Sequence, residues 1–351
     1  MKFKFRNKLI SYVLWGGIIF VFLSLAEAVV LVKYGSRIKA KVTQLKDKCH
    51  TSARYEMMHE ERVDVSKLPV LKDDTAAWYS KYHLISHGGG GIDGRNYTNS
   101  LETWEYSYAH GNRVIDADLR FTSDGVLVLR HSWNDNIEQD DDVPMRKSNI
   151  FVDENGHTQY KLSAKDKILD YKTFVKVKPY HLYTPMSYAD MVDFMKTHKD
   201  LYVAADIKGD TNVKGDVVKA YRYMIDEAKK KNAKEILDRI IVSSYDYADF
   251  EKIMKLYPFK CTTMRQHAVS PNNYYELAKF CVEHNIHTVN VSQCFLDDPG
   301  VKLLMHKGIK IYVAVVDYIS DAEYFKKKGV SGFITNYLFE DMFKEGNNDE
   351  K

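Results

Sequence analysis

The chain is short of the residues that build zinc sites and disulfide scaffolds. Its 351 residues include only four cysteines and seven prolines. The cysteines are widely spaced, form no CxxC pair and have no histidine at zinc-finger spacing, which excludes the common structural zinc modules. We therefore expect buried free thiols. One disulfide is possible if the domain lies outside the cell. The four are Cys49, Cys261, Cys281 and Cys294.

An excess of one charge sign is also absent. The formal net charge is +3, and 45% of the residues are apolar while 28% are charged. A nucleic-acid-binding protein carries a strong basic footprint, so we expect no nucleic acid partner. No Gly-x-Gly-x-x-Gly motif follows the first predicted strand, which disfavours a dinucleotide-binding fold. The composition is that of an ordinary folded protein with a full core.

Long hydrophobic runs are scarce. The one that stands out is residues 9–32, in which Glu27 is the only charged residue. A helix of that length spans roughly 36 Å and exceeds a bilayer core. The basic tail, residues 1–8, resembles the start of a signal sequence, but the apolar run continues past the cleavage-like Ala26-Glu27-Ala28. We therefore predict an uncleaved transmembrane helix that makes the chain a single-pass protein of the cell membrane.

Basic residues flank both ends of this run, so charge does not decide its orientation. A short tail before a long domain favours an extracytoplasmic domain. Residues 33–79 are charged and helix-prone, which predicts a stalk or a helix at the membrane surface.

From residue 80 to 345, short β-branched runs alternate with amphipathic stretches, a pattern typical of βα units and a parallel sheet. Nine strands are predicted, and eight stay parallel if one is the return arm of a hairpin. Eight parallel strands close a (β/α)₈ TIM barrel, so we predict an α/β barrel with an extra antiparallel hairpin strand. An open doubly wound sheet is the alternative. The predicted strands are Leu84–His87, Arg113–Phe121, Val126–His131, Leu201–Ile207, Ile240–Ser244, Lys260–Met264, Thr288–Ser292, Lys310–Val316 and Gly332–Thr335.

The alternation of predicted strands and helices is absent from residues 132–183, which predicts an insertion that covers the pocket. Its acidic run, Asp140-Asp141-Asp142, is more typical of a solvated turn than of a metal site.

The hairpin signal is Asp124-Gly125, a pair that favours a type I′ turn. If these residues form the turn, Ser123 faces Val126, and counting back sets Asp118 opposite His131. Asp116 lies on the same face as Asp118.

Other polar residues are predicted at the ends of other strands. His87 ends the first strand, and Asp206 and Lys208 end the strand at 201–207. The carboxyl ends of barrel strands meet at one rim, so we expect these groups to converge with the hairpin residues.

The order of motifs resembles the glycerophosphodiester phosphodiesterase family over residues 80–340. Ser86-His87-Gly88-Gly89 is similar to the family's His-Arg-Gly strand end, and the stretch from Asn99 to His131 resembles the family without a gap. Asp206-Ile207-Lys208 is similar to Glu-Ile-Lys, and residues 329–337 resemble the late Gly-x-x-Gly-x-Ile-Thr-Asp-Tyr segment. The resemblance implies a TIM barrel that cleaves phosphodiesters.

It also implies roles for residues of this chain. A divalent metal, Ca²⁺ or Mg²⁺, would be held by Asp116, Asp118 and Asp206, with His87 and His131 as the acid and base and Lys208 on the phosphate. The expected reaction is metal-dependent hydrolysis of a glycerophosphodiester, lipid headgroup or wall polymer to an alcohol and a phosphomonoester. The alternatives are a phospholipase D-like enzyme that forms a cyclic phosphate and a phospho-ligand binding protein without catalysis.

The sequence departs from the family at four positions. Asp116 and Asp206 stand where the family usually has Glu, Gly88 replaces its phosphate-binding Arg, and Thr98 replaces a Glu. The lost guanidinium removes a bidentate phosphate contact. Arg95 and Arg120 are candidates to replace that contact, the latter because it shares the face of Asp116 and Asp118.

Overall fold

The computed structural model describes residues 67–133, 151–152, 158–159, 168–208, 216–265 and 274–345. The predicted transmembrane helix over 9–32, most of the predicted stalk, Cys49 and the acidic run at 140–142 lie outside these residues. Among the helices that are described, none has both the length and the apolar character needed to cross a bilayer.

Eight parallel strands form a closed barrel, because the first strand pairs with the last and also, through Ser86 and Ile115, with the second. This closure confirms the predicted barrel and excludes the open sheet. A further strand, β3, pairs antiparallel with β2, and β4 and β5 form a separate ribbon. The strands are β1 Leu84–Ser86, β2 Val114–Phe121, β3 Leu127–Leu129, β4 Phe151–Val152, β5 Thr158–Gln159, β6 Tyr202–Ile207, β7 Ile240–Ser244, β8 Cys261–Arg265, β9 Thr288–Ser292, β10 Lys310–Ala314 and β11 Gly332–Thr335.

Helices connect most of the parallel strands and pack on the outside of the barrel. Capping side chains start several of them; for example, Ser187 accepts a hydrogen bond from the backbone N–H of Asp190. The helices are α1 Trp78–Lys81, α2 Leu101–Ala109, α3 Tyr171–Phe174, α4 Tyr188–Thr197, α5 Asp216–Lys230, α6 Tyr247–Leu256, α7 Tyr274–Glu283, α8 Pro299–His306, α9 Ile319–Lys327 and α10 Met342–Glu345. Single 3₁₀ segments lie at His87–Gly89, Pro179–His181, Lys234–Arg239 and Gln293–Phe295.

The strand sequence determines which side chains face the interior of the barrel. In β2, Ile115, Ala117 and Leu119 join the large core beneath the helices, whereas Val114 belongs to a second cluster with residues of the other strands. Because side chains alternate along a strand, Asp116 and Asp118 share the inner face with Val114. The barrel interior is therefore apolar near the N-terminal ends of the strands and acidic toward their C-terminal ends.

The N-terminal end of the barrel is closed by α1. Trp78 is 3% exposed, and its ring centre lies 5.3 Å from that of Tyr312 inside the barrel. The residues before α1 also contact this end, since Lys307 Nζ donates to the Leu68 carbonyl at 2.8 Å and the Leu71 N–H donates to the Lys307 carbonyl. The described part of the segment up to residue 79 thus packs against the barrel.

The predicted register of the hairpin is wrong by one residue. Leu119 pairs with Leu129 and Phe121 with Leu127, so Asp118 lies opposite Arg130 and not His131, and the Arg130 N–H donates to the Asp118 carbonyl at 2.7 Å. The physical reason is the loop. Thr122 and Val126 close it through backbone and hydroxyl hydrogen bonds, so the loop holds three residues, 123–125, with Gly125 at φ +83°.

The described part of the predicted insertion packs beside the hairpin. Trp133, Leu169, Phe174 and Val177 form a small buried cluster with Val128 of β3. The Leu169 carbonyl also accepts a hydrogen bond from the Ser123 N–H at the hairpin tip. This segment thus supports the hairpin from outside the barrel.

The described cysteines form no disulfide with one another, as expected, but only two of the three are buried. Cys261 and Cys281 are buried and Cys294 is partly exposed. Burial raises the pKa of the Cys261 thiol to about 12, and burial also raises the pKa of Cys281. Both thiols are therefore protonated and inert at neutral pH.

Candidate active site

Three aspartates meet at the C-terminal end of the barrel. Asp116 and Asp118 belong to β2 and Asp206 to β6, and parallel pairing sets Asp118 beside Asp206. All three are buried, and each offers a carboxylate oxygen within 4.8 Å of the other two. The structure thus brings together the three carboxylates that the sequence predicted as metal ligands.

Lys208 places its ammonium group between two of these carboxylates. Its Nζ lies 2.9 Å from Asp118 Oδ1 and 2.5 Å from Asp206 Oδ2. Burial would lower the pKa of Lys208, but the two carboxylates outweigh burial and raise the pKa above its usual value. Lys208 is therefore positively charged at neutral pH.

Arg265, at the end of β8, is the residue of the cluster that sequence reasoning missed. Its Nη1 donates to Asp206 Oδ2 at 2.8 Å, its Nη2 to Asp116 Oδ1 at 2.5 Å, and its Nε to the Ser243 hydroxyl. The predicted strand stopped at Met264, one residue too early. The signal that could have found Arg265 is its position: it shares the inward alternation of Cys261 and Thr263 and follows them to the rim.

The pKa values of Asp116 and Asp206 shift in opposite directions. Burial raises the pKa of Asp116 even though Arg265 lies beside it. Burial acts on Asp206 in the same direction, but Arg265 and Lys208 together outweigh it and lower the pKa of that carboxyl.

Asn99, just before α2, positions Asp118. Its Nδ2 donates to Asp118 Oδ2 at 2.8 Å, and its Oδ1 accepts from the Asp118 backbone N–H at 3.1 Å. Asn99 has φ +48°, a left-handed conformation that asparagine tolerates better than most residues. The loop after β1 is thus tied to β2 at the centre of the cluster.

His87 lies at the start of a chain of polar contacts that comes from the last strands. Its Nδ1 is 3.2 Å from Asn336 Oδ1, and Asn336 Nδ2 donates to Asp317 Oδ2 at 2.9 Å. Asp317 also accepts from the Asn336 backbone N–H at 2.7 Å. Asp317 thereby fixes which end of the amide faces His87.

Tyr97 connects the two predicted catalytic histidines. Its ring centre is 4.6 Å from that of His87 and 5.1 Å from that of His131. Burial raises the pKa of Tyr97, and the nearby charge of Asp118 adds to that shift. His87 and His131 therefore both contact Tyr97, despite the error in the hairpin register.

The two arginines considered as replacements for the family's guanidinium contact other groups. Arg120 Nη2 donates to the His131 carbonyl at 3.0 Å, and the Arg95 guanidinium lies 5.2 Å from the Tyr180 ring centre. Gly88, at the position of that guanidinium, has φ +54°. Among the described arginines, Arg265 is the one that contacts the carboxylate cluster.

The donor set suits a divalent metal. Carboxylate oxygens are the ligands that Mg²⁺ and Ca²⁺ prefer. The second oxygen of Asp116 is buried and has no hydrogen-bond partner among the described residues, an arrangement that is costly unless a cation or water meets it. The cluster as described carries three carboxylates against two cations, so negative charge remains to attract a further cation.

Comparisons with known proteins agree with this geometry. Residues 89–339 match the description "Glycerophosphoryl diester phosphodiesterase family". A glycerophosphodiester phosphodiesterase from Parabacteroides distasonis shares 16% identity and a TM-score of 0.55, covering 77% of this chain and 98% of its own. A phosphodiesterase from Oleispira antarctica, solved with the product sn-glycerol-3-phosphate, shares 13% identity and a TM-score of 0.56, covering 76% and 98%.

At such identities the structural likeness establishes the fold alone. No curated protein matches the chain. The family match extends over most of the sequence and includes Asp116, Asp118, His131, Asp206, Lys208 and Arg265. The chain therefore belongs to the glycerophosphoryl diester phosphodiesterase family, a family of phosphoric diester hydrolases.

Proposed function

We propose that this chain hydrolyses a glycerophosphodiester or a related lipid or polymer headgroup in a metal-dependent reaction that yields an alcohol and a phosphomonoester. The observation that carries the proposal is the buried cluster of Asp116, Asp118 and Asp206 beside Lys208 and His87. A buried acidic cluster in which a carboxylate oxygen lacks a hydrogen-bond partner destabilises the folded state, and proteins keep such a cost mainly at functional sites.

Asp116, Asp118 and Asp206 would hold the metal, either Ca²⁺ or Mg²⁺. When bound, such a metal polarises the phosphoryl oxygens and neutralises charge that develops during displacement. Lys208, already charged and placed between two of the ligands, supplies a fixed positive charge for the phosphate.

His87 is held in a state that suits proton transfer. Asn336 donates its amide N–H groups toward Asp317, so its Oδ1 is the acceptor that faces His87. His87 Nδ1 is therefore the nitrogen that donates to Asn336 Oδ1, which leaves Nε2 for the proposed proton transfer. We assign His87 and His131 to the two proton transfers of the reaction, removal from the nucleophile and delivery to the departing alkoxide.

For the group that stays on the phosphate, we propose glycerol, so that the phosphomonoester product is a glycerol phosphate and the second ester group leaves as the alcohol. The Oleispira antarctica phosphodiesterase, which shares the fold, was solved with the product sn-glycerol-3-phosphate. This supports a free glycerophosphodiester, a phospholipid headgroup or a polyglycerolphosphate-type wall polymer as the substrate.

We also propose that residues 9–32 anchor the chain in the cell membrane with the barrel on the outer face. The support is the length and apolar character of this run. Fractionation of cells that express the full chain, followed by protease treatment of intact cells, tests the proposal. Recovery of the protein from the soluble fraction, or protection of the barrel from external protease, would contradict it.

The activity test uses the purified full chain with a panel of glycerophosphodiesters, followed by ³¹P NMR. We expect a phosphomonoester product that requires Mg²⁺ or Ca²⁺ and disappears with EDTA. A persistent cyclic phosphate would instead identify a phospholipase D-like transfer. Retained ligand binding without turnover on any substrate would identify a binding protein.

Site variants separate the assigned residues from the rest of the barrel. Asp118→Asn and His131→Ala should each abolish turnover, with a loss of about 100-fold or more. The matched controls are Asp226→Asn and His306→Ala, which change exposed residues on the outer helices. Equal activity in the site variants and the controls would reject the assignment.

A further inference from the structure

Arg265 reaches the carboxylate cluster from a strand that the predicted site did not include. Its guanidinium bridges Asp116 and Asp206, and its side chain is only 10% exposed. The adjacent Tyr245 is 43% exposed and hydrogen-bonds to Arg265, which places the open side of the guanidinium at the rim. Arg265 thus lies between the buried carboxylates and solvent.

The position that carries the family's guanidinium is unsuited to a side chain here. Gly88 has φ +54°, and a Cβ added to it would lie 3.2 Å from Tyr97 Cα and 3.3 Å from Asp118 Oδ2. Both contacts are tighter than ordinary van der Waals contacts, and a left-handed backbone adds strain for most residues. A guanidinium for this site must therefore come from another element.

The charges of the site are consistent with such a replacement. Three carboxylates face Lys208 and Arg265, which leaves one net negative charge. A divalent cation and a phosphodiester, with charges of two plus and one minus, bring the sum to zero. Without Arg265 the same complex would carry an uncompensated negative charge in a buried site, where unpaired charge is costly.

The hydrogen bonds of Arg265 leave it a donor for substrate. A guanidinium has five N–H groups, and Asp116, Asp206 and Ser243 accept three of them. Tyr245 is a further partner, but burial raises the pKa of its hydroxyl, which is therefore neutral. A phosphate oxygen carries more negative charge than a phenol, so it is the stronger acceptor for a donor at the rim.

We propose that Arg265 is the phosphate-binding guanidinium of this site and takes the place of the arginine that is absent at Gly88. The inference rests on the proposed function. It makes Arg265 a catalytic residue delivered by β8, oriented by Asp116 and Asp206 and directed toward a non-bridging phosphate oxygen of the diester.

The test measures binding of inorganic phosphate to the full chain by titration calorimetry, at a Mg²⁺ concentration that saturates each variant. Arg265→Gln should weaken phosphate binding at least about 10-fold, and about 1.4 kcal/mol corresponds to each tenfold change. Arg265→Lys keeps the charge but loses the planar fork, so its affinity should lie between those of Arg265→Gln and the wild type. Arg222→Gln, an exposed change on α5, is the matched control and should bind as the wild type does.

A purely structural arginine gives a different result. If Arg265 only neutralises Asp116 and Asp206, Arg265→Gln will bind metal more tightly and phosphate unchanged, and that outcome overturns the proposal. Thermal melting of each variant checks the fold. If Arg265→Gln does not fold, the Arg265→Lys comparison decides: weaker phosphate binding at an unchanged melting temperature supports the proposal, and wild-type phosphate affinity overturns it.

The outcomes also distinguish this inference from the proposed function. A wild-type chain that binds phosphate through Arg265 but cleaves no diester would refute the function and leave the inference standing. Diester hydrolysis that Arg265→Gln retains with an unchanged KM would leave the function standing and refute the inference.

Discussion

At the scale of single residues, Asn336 shows how a side chain outside the carboxylate cluster can control the chemistry. It connects His87 to Asp317, and the direction of its side-chain amide is set by the hydrogen bond that Asp317 Oδ2 accepts from Asn336 Nδ2. A buried polar chain of this kind holds a histidine in one tautomer and one orientation. In the proposed mechanism, Asn336 is therefore a positioning residue that acts through His87.

We expect Asn336→Ala to lower kcat about 100-fold with little change in KM, because it releases the His87 ring without touching the phosphate contacts. The decisive measurement is a double-mutant cycle with His87→Gln. Residues that act as one unit are not additive, so Asn336→Ala should cost almost nothing further in the His87→Gln background. Independent, multiplying losses would show that Asn336 does not act through His87.

His287 gives a prediction about pH and stability that is separate from the site. Burial lowers the pKa of His287 below its usual value, against the opposing charges of Asp73 and Asp74, and the ring stacks on Tyr79 at 5.2 Å. The folded state thus favours the neutral ring. The contribution to stability is present above the unfolded pKa of about 6.5 and is lost as pH falls toward the folded pKa.

Urea unfolding at pH 7.5 and pH 5.0 measures this contribution. The free energy of unfolding should fall less over this range in His287→Gln than in the wild type. His306→Gln, which changes an exposed histidine at the end of α8, is the control and should follow the wild type. The same pH dependence in all three proteins would show that burial of His287 is not coupled to folding.

Most residues of the site could be predicted because their strands have a clear pattern: Asp116 and Asp118 lie within β2, and Asp206 and Lys208 lie at and just after the end of β6. Asp116, Asp118, Asp206 and Lys208 all meet as the barrel rule requires. Arg265 was missed because its role depends on a strand extending one residue further, which local sequence does not determine.

At the scale of elements, the hairpin shows that the register of two strands does not follow from the turn dipeptide alone. The dipeptide Asp124-Gly125 predicts a two-residue loop, but the Thr122 hydroxyl accepts the Val126 N–H and also donates to Asp124. These side-chain bonds favour a three-residue loop and shift every pair by one. The strands themselves were predictable from their alternation, whereas the register depended on one hydroxyl.

Gly125 is the residue on which this loop depends. It has φ +83°, and a Cβ there would meet open space, so the cost of Gly125→Ala comes from backbone strain alone. We expect a loss of about 1 kcal/mol in the free energy of unfolding, measured by urea denaturation. Gly94→Ala has φ +75° and equally open space and serves as a matched comparison in a loop outside the hairpin. A neutral or stabilising Gly125→Ala would indicate that the loop can adopt another conformation.

At the scale of the whole molecule, the barrel separates stability from chemistry by position. The N-terminal end is filled by an apolar cluster and closed by α1, while the carboxylates, histidines and cations lie at the opposite end. The fold class and the strand order were predictable from the alternation of β and α patterns. The closure of the barrel by Trp78 was not predictable, because its helix has four residues and is too short to show a helical periodicity in the sequence.

Trp78→Ala tests this separation. Loss of a buried tryptophan should lower the free energy of unfolding by about 3–5 kcal/mol, because the packing against Tyr79 and Tyr312 is lost and a cavity remains. Below the unfolding transition, kcat and KM should stay near wild-type values. Denaturant unfolding and initial rates on the same preparation provide both measurements, and a selective fall in kcat without a fall in stability would contradict the expectation.

The placement of Lys208 and Arg265 on the three aspartates has a consequence for the order of events in the life of the protein. Each of the three carboxylates contacts Lys208 or Arg265, and these two side chains offset two of the three buried negative charges, so the chain can reach its folded state before it binds any metal cation. In the proposed metal-dependent reaction, the metal would then bind after folding. Under the proposed metal dependence, scarcity of the metal would leave a folded but inactive barrel, in contrast to small domains that fold around a metal and unfold when the ion is removed.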